Sequence, residues 1–210
     1  MQPVKKGLTE PIRNEYSFLM AVRDPEITRK CILDAALKLF AERGFHGTNV
    51  PEVATQASVG AGSIYRHFDD KIALVNVLYR EWKAKFRKAI MIPPPDPAHS
   101  FENQFREYWA RLWKFYRSYP EALVFLDLHA HGAYLTQEAR MEAIEFEKDL
   151  CSWVEAGQES GVIGKAEPAV LIAMVYGSFL GLIRHEQAVG TISAGSEEES
   201  GKRAWALIAP

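Results

Sequence analysis

Cysteine is nearly missing from this chain: Cys31 and Cys151 are its two examples among 210 residues, and they stand far apart. They fit no zinc-ligand or redox spacing, which excludes a disulfide framework and points to a reducing compartment, so a cytoplasmic protein is expected. A strong excess of one charge is missing too. With a formal net charge of -2 the chain has no uniform basic field for coating nucleic acid, and any such contact must come from a local surface. Up to Arg80, eleven Lys and Arg stand against nine Asp and Glu, and fourteen stand against eighteen thereafter, an asymmetry of the right sign but small. The N-terminus has Lys5 and Lys6 but no apolar run leading to a small-residue cleavage site, which argues against a secretory signal. The longest nearly apolar run, 169–183, ends at Arg184, His185 and Glu186. It falls short of the roughly 18 to 20 residues needed to cross a bilayer, so no membrane partner is expected. Otherwise the composition, 48% hydrophobic and 25% charged, is that of a globular chain able to bury a core.

What is present is a dense signal over residues 29–74. Ile32, Leu33, Ala36, Leu39 and Phe40 recur at helical spacing, turning one apolar stripe inward and leaving Lys30, Asp34, Lys38 and Glu42 to water. Asp24 and Pro25 read as cap and first residue of that helix, and Gly44 as its stop. Asn49, with Glu52 three residues on, forms a capping-box pattern for a second helix whose first turn tolerates Pro51. Ser58, Val59 and Gly60 then make a turn of helix-turn-helix length, and 61–68 is expected to be a recognition-type helix. Ala61, Gly62 and Ser63 are small enough to let the backbone approach phosphates and base edges, while Ile64 and Phe68 form the buried side. Tyr65, Arg66 and His67 carry polar tips along the flanks, and Lys71 opens the next helix.

That fourth helix, capped by Asp69 or Asp70, runs through Leu74, Leu78, Trp82 and Phe86 to about Ile92, where Pro93, Pro94, Pro95 and Pro97 stop it. A fifth follows Ser100 with a broad aromatic face, and Pro120 opens a further apolar helix over 123–128. Aromatic side chains with polar tips commonly line small-molecule pockets. On that basis Trp109, Trp113, Tyr116, Phe125, His129, Tyr134 and Tyr176 are the expected ligand-binding set, with a plain aromatic core as the competing reading. Thr136 caps a long helix through Phe146 and Trp153 to Gly161, and Pro168 opens the last strong one, which carries Ala173, Gly177 and Gly181 at four-residue spacing. Residues 1–23 are expected to be a flexible arm, and 191–201 a flexible linker before a short apolar end.

The segments AALKLFAERGF, Thr48, VATQASV and above all GSIYRHFDDKIAL resemble the DNA-binding domain of the TetR family of bacterial transcriptional regulators. The resemblance implies an all-α fold: a three-helix domain with a helix-turn-helix at 24–72, then a helical ligand-binding and dimerisation domain at 73–210. It implies that Thr48 and Asn49 meet a phosphate, that Gly62 and Ser63 lie at the base-reading end, and that Tyr65, His67 and Lys71 hold phosphates. Arg66 stands where the family varies and is assigned to a guanine or a phosphate. Ser58 stands where a turn glycine is common and Gly60 where a serine often caps the helix, which bears on turn geometry and base preference. The last two long helices are implied to form a homodimer interface through Trp153, Ala173, Gly177 and Gly181, burial within one protomer being the alternative.

The function expected first is a repressor: a homodimer on a palindromic double-stranded operator, released by a small apolar or aromatic effector, without catalysis, cofactor or metal. A metal enzyme or sensor using Asp127, His129, His131 and His185 is weaker, because residues two apart on a helix point to different faces. A DNA-binding protein whose second half only dimerises and docks other proteins is the third reading, and the aromatic count argues against it.

Overall fold

A computed structural model of the chain describes residues 24–128 and 133–210, and within them all regular structure is helical. The expected arm at 1–23, and His129 and His131, lie outside the described residues. Helix α1 spans Pro25–Arg43, α2 Val50–Gln56, α3 Ala61–Tyr65 and α4 Lys71–Met91. Then come α5 at Phe101–Ser118, the short α6 at Pro120–Leu123, α7 at Gln137–Glu159, α8 at Pro168–Val189 and α9 at Ala194–Trp205.

The local signals operate as chemistry requires. The Asp24 carboxylate accepts from the Glu26 amide, and Gly44 ends α1 at φ 69, where its own amide reaches the Phe40 carbonyl. Asn49 and Glu52 form the full capping box, and Asp70, Ser100 and Thr136 each cap the helix that follows. The recognition-type helix is shorter than expected: α3 stops at Tyr65, and the His67 and Phe68 amides both turn back to the Ile64 carbonyl. That turn drops Phe68 into the core, where it is almost fully buried.

Two segments depart further. Residues 124–128, expected to continue a plain helix from Pro120, widen into a π-helical turn, Val124–Leu128, which buries Phe125 and Leu126 together. The stretch read as a flexible linker is instead the start of α9, capped by Ser193. Its glutamates find partners one turn on, Glu198 with Lys202 and Glu199 with Arg203. Gly201 lies so close to Trp109 that an added Cβ would sit 2.7 Å from the ring, and the Trp109 indole donates to the Glu197 carbonyl and the Ser200 hydroxyl. Composition suggested disorder because the side chains that hold this helix belong to α5, some ninety residues away in sequence.

Packing runs through α4, which touches α1, α5, α7 and the π turn, while α1 itself also packs on α2, α6 and the π turn. Arg87 holds α7 through two hydrogen bonds to Asp149. Helix α8 is 22 residues long and by length and composition could cross a membrane, although its shorter apolar run suggested otherwise. Of its residues, Leu171, Phe179 and Ile183 are buried, while Val170, Ala173, Met174, Gly177 and Gly181 are exposed.

Arg117 clasps the C-terminal end, reaching Glu186 on α8, Glu197 on α9 and the Ile192 carbonyl between them. These hydrogen bonds, working against partial burial, hold the Glu186 carboxyl below its ordinary range. A depressed carboxylate stabilises the fold above its unfolded pKa and ceases to do so as the pH falls through the folded one. Glu186→Gln should therefore be less stable than wild type at neutral pH, with the difference closing as the pH falls below the ordinary carboxylate range in urea titrations run across pH. A difference independent of pH would show that the charge is not what matters.

Candidate functional site

The turn between α2 and α3 sets one face of the molecule. Ser58 adopts the left-handed conformation at φ 54, as a residue without glycine's freedom does only under constraint, and the Val59 amide locks the turn to the Ala54 carbonyl. Gly60 then opens α3 without a side-chain cap, and Ile64 anchors the helix from below. What remains outward is Gly62, Tyr65 at 56% exposure and Arg66, with Ser63 and His67 half-buried. Arg66 donates to the Ser63 hydroxyl at 2.9 Å, which fixes the guanidinium along the helix, and Asn49 is exposed at the start of α2.

Two of the residues expected to meet phosphate are engaged elsewhere. Thr48 is 2% exposed, and its hydroxyl donates to the carbonyls of Leu39 and Gly44, closing the end of α1. The side chain is thus a structural fastener, and its hydroxyl is turned away from any ligand. Lys71 donates to the Thr48 carbonyl at 2.7 Å and lies 4.1 Å above the Phe45 ring, with partial burial lowering its pKa. One of its three donors ties α4 to the turn before α2, and the half-buried ammonium still borders the face that carries α3.

Behind this face lies an aromatic junction. Phe45 stacks on Tyr134 with ring centroids 4.0 Å apart, and Phe40 stacks on both Phe45 and Phe125. The buried Asn76 of α4 donates to the Tyr134 carbonyl and accepts from the Thr136 amide, fastening the segment before α7. Phe125 and Tyr134, expected to line a ligand pocket, are therefore parts of the seam between α1 and the rest of the fold. An aromatic residue that joins two layers has the same sequence signature as one that lines a cavity.

The cavity lies between α4, α5, α7 and α8 and has a volume of about 330 Å³. Of the expected set, Trp109 and Tyr176 line it. Trp113 is buried against Phe179 and faces a second pocket beside Arg117, while Tyr116 packs on Trp113 next to Glu186. His129 lies outside the described residues. Sequence reasoning missed Tyr108, Phe146 and Lys83, whose helical spacing was legible but whose common direction depends on how three helices cross. Trp153, assigned to a dimer interface, also faces this cavity: its indole donates to Gln104 at 2.8 Å and its ring packs on Phe101 and Tyr108. Ala173 stands at the cavity rim, and Gly177 and Gly181 face open space.

The cavity wall is mostly apolar and holds one deep charged group. Lys83 keeps 9% of its side chain exposed and lies 3.8 Å from Asp127, which is 13% exposed, on the π turn. Tyr176 and Tyr79 neighbour the same carboxylate. Burial first and the Asp127 charge second push Tyr79 up to about 12 and Tyr176 well above an ordinary phenol. The Tyr176 hydroxyl and Asp127 Oδ2 are close enough for that effect, yet neither has a well-formed hydrogen bond among the described residues. Among those residues no three His, Cys, Asp or Glu side chains converge as metal ligands would, and Asp127, named in the metal reading, faces Lys83.

Comparison with known proteins places both halves. The family model described as bacterial regulatory proteins, tetR family, matches residues 32–85, and that of tetracyclin repressor-like C-terminal domains matches 84–197. The HTH-type transcriptional repressor SCO4008 of Streptomyces coelicolor is 31% identical over 164 residues, covering 74% of this chain and 80% of that protein. The HTH-type transcriptional repressor NicS of Pseudomonas putida is 30% identical over 143 residues, covering 64% of this chain and 65% of its own length. Among solved structures, a TetR family transcription regulator from Marinobacter aquaeolei superposes with a TM-score of 0.76 at 20% identity, over 88% of this chain and 96% of that one. FadR from Bacillus subtilis in complex with stearoyl-CoA gives 0.66 at 18% identity, over 85% and 96%, a likeness of fold.

The reassignment of Thr48 is open to test. Thr48→Val keeps the shape but strips the two carbonyls of their donor, and should cost about 1–3 kcal/mol of stability in chemical denaturation. An unchanged denaturation midpoint would return the hydroxyl to the surface.

Proposed function

The chain belongs to the TetR family of bacterial regulatory proteins, and from that premise we propose that it is a repressor that leaves a palindromic operator when a small, mostly apolar effector enters its C-terminal half. The observation that carries this reading is a continuous physical connection. The outward helix α3 packs on α2 and α2 on α1, α1 stacks through Phe40 on Phe125, and the π turn holding Phe125 carries Asp127 to Lys83 in the cavity wall. On this reading 24–72 is the DNA-binding domain, with Asn49, Gly62, Ser63, Tyr65, Arg66, His67 and Lys71 on the duplex, and 73–210 holds the effector and the second protomer.

A homodimer is supported by the exposed side of α8, where Val170, Met174 and Gly177 leave an apolar strip uncovered. Two copies joined there by a two-fold axis would present two α3 helices to successive major grooves, which need a separation of about 34 Å or a multiple of it. An effector changes that spacing only through its differential affinity for the two dimer arrangements. Such a protein works in the cytoplasm, beside its DNA.

The test is selection of bound duplexes from a random pool over a salt series, with wild type, Tyr65→Ala and Arg66→Ala. Wild type should return a palindrome. Arg66→Ala should lose about 1–3 kcal/mol and relax one base position if the guanidinium reads a guanine. Tyr65→Ala should weaken all sequences alike while leaving the salt dependence nearly unchanged, because a neutral phenol on a phosphate displaces no counterion. Binding without any motif would overturn the regulator reading.

A further inference from the structure

The cavity wall contains a charge whose partnering is incomplete. Lys83 is more than nine-tenths buried, lines the cavity, and makes no hydrogen bond among the described residues. Its nearest carboxylate oxygen, Asp127 Oδ1, is 3.8 Å away, beyond hydrogen-bonding range, and the faces of Phe86 and Phe146 lie 5.2 and 5.6 Å from the ammonium. An ammonium carries three donors, and burying them unmet is costly, so this arrangement favours any occupant that supplies oxygen acceptors. Tyr176 adds a second idle donor: its hydroxyl is buried in the same wall, also faces Asp127, and has no well-formed partner.

Resting on the effector reading above, we infer that the cavity takes a small organic acid, its apolar body between Phe105, Trp109 and Phe146 and its carboxylate on Lys83 and Tyr176. The sign follows from the lining. The cavity presents the cation directly, while Asp127 stands behind it on the π turn, and Glu147 at the rim is exposed to solvent. A ligand amine would meet Lys83 first and be repelled. An uncharged amide could satisfy the donors with one oxygen but not the charge. The volume, at the lower end of ligand cavities, fits a single ring or a short chain better than a long acyl group.

The same geometry assigns Asp127 a role. It is the resident anion that a ligand carboxylate replaces at Lys83, and it sits two residues after Phe125, which stacks on Phe40 of α1. Occupation of the cavity therefore loosens the π turn at the point where it grips the DNA-binding helices. Asp127 is a positioning residue in this scheme, since it touches Lys83 and no part of the ligand.

The experiment is isothermal calorimetry on the full chain with two matched pairs, 4-phenylbutyrate against 4-phenylbutyramide and hexanoate against hexanamide. Wild type should bind each acid at least tenfold more tightly than its amide. Lys83→Met should bring the acid down to the level of the amide, weakening the acid far more than the amide, which loses a hydrogen bond but no charge partner. Asp127→Asn, which removes the competing anion, should tighten the acid several-fold and raise the acid-to-amide ratio, an effect that mere damage to the fold does not produce. If acid and amide bind equally to wild type, the anion assignment fails and the cavity remains an apolar effector site. If no member of either pair binds wild type at millimolar concentration, the effector reading itself fails and takes the assignment with it. If Lys83→Met does not fold, the Asp127→Asn ratio decides: a ratio unchanged from wild type overturns the proposal.

Discussion

Phe40 has to belong to two cores at once, and most of the structure follows from that demand. It is fully buried near the end of α1, where its ring meets Phe45 on the DNA-facing side and Phe125 on the cavity side. A three-helix unit this small buries too little apolar surface to be firm alone, so it gains rigidity by sharing residues with its neighbour. The sharing also removes independence. Because packed aromatic rings do not deform continuously, a shift of the π turn cannot be absorbed at the seam and is passed to α1. Asn76 and Lys71 reinforce the seam with polar bonds whose geometry is narrower than apolar packing requires, one tying the segment before α7 to α4 and the other tying α4 to the turn before α2.

The charged groups fall into two classes, and burial separates them. Exposed pairs such as Arg106 with Glu102 or Lys202 with Glu198 follow helical spacing and contribute little each. The deeper groups act across long sequence separations. Arg117 joins α5, α8 and α9, and its partners satisfy it several times over. Lys83 and Asp127 do the opposite, holding two charges inside the fold at a distance that satisfies neither completely. Buried pairs of this kind add little stability against an apolar replacement, and their retention makes sense where a site must recognise charge.

The DNA-facing half was legible in the sequence because its signals are local. Caps, the Gly44 stop, the Ser58 and Gly60 turn and the buried pair Ile64 and Phe68 all act within a few residues of themselves. Thr48 was assigned to a phosphate through the family resemblance alone, and nothing in the sequence shows that the end of α1 curls back to receive its hydroxyl. The cavity was only half legible. Aromatic residues on α5 announced an interior, but whether Trp113 or Tyr108 faces a space depends on crossing angles that no single helix encodes. Trp153 shows the same limit, since its helix was identified and its inward side was not. The end of the chain was least legible, because α9 owes its order to Trp109 and Arg117 rather than to its own composition.

That dependence has a consequence for how the protein is made. Trp109 lines the cavity and is held from behind by the Glu197 carbonyl, 88 residues later, and Ile208 closes another part of the wall. A ribosome delivers α1 to α5 long before it delivers α9, so during synthesis the DNA-facing helices can pack while the cavity still lacks a side. The nascent chain can thus form its helix-turn-helix before it acquires a finished chamber.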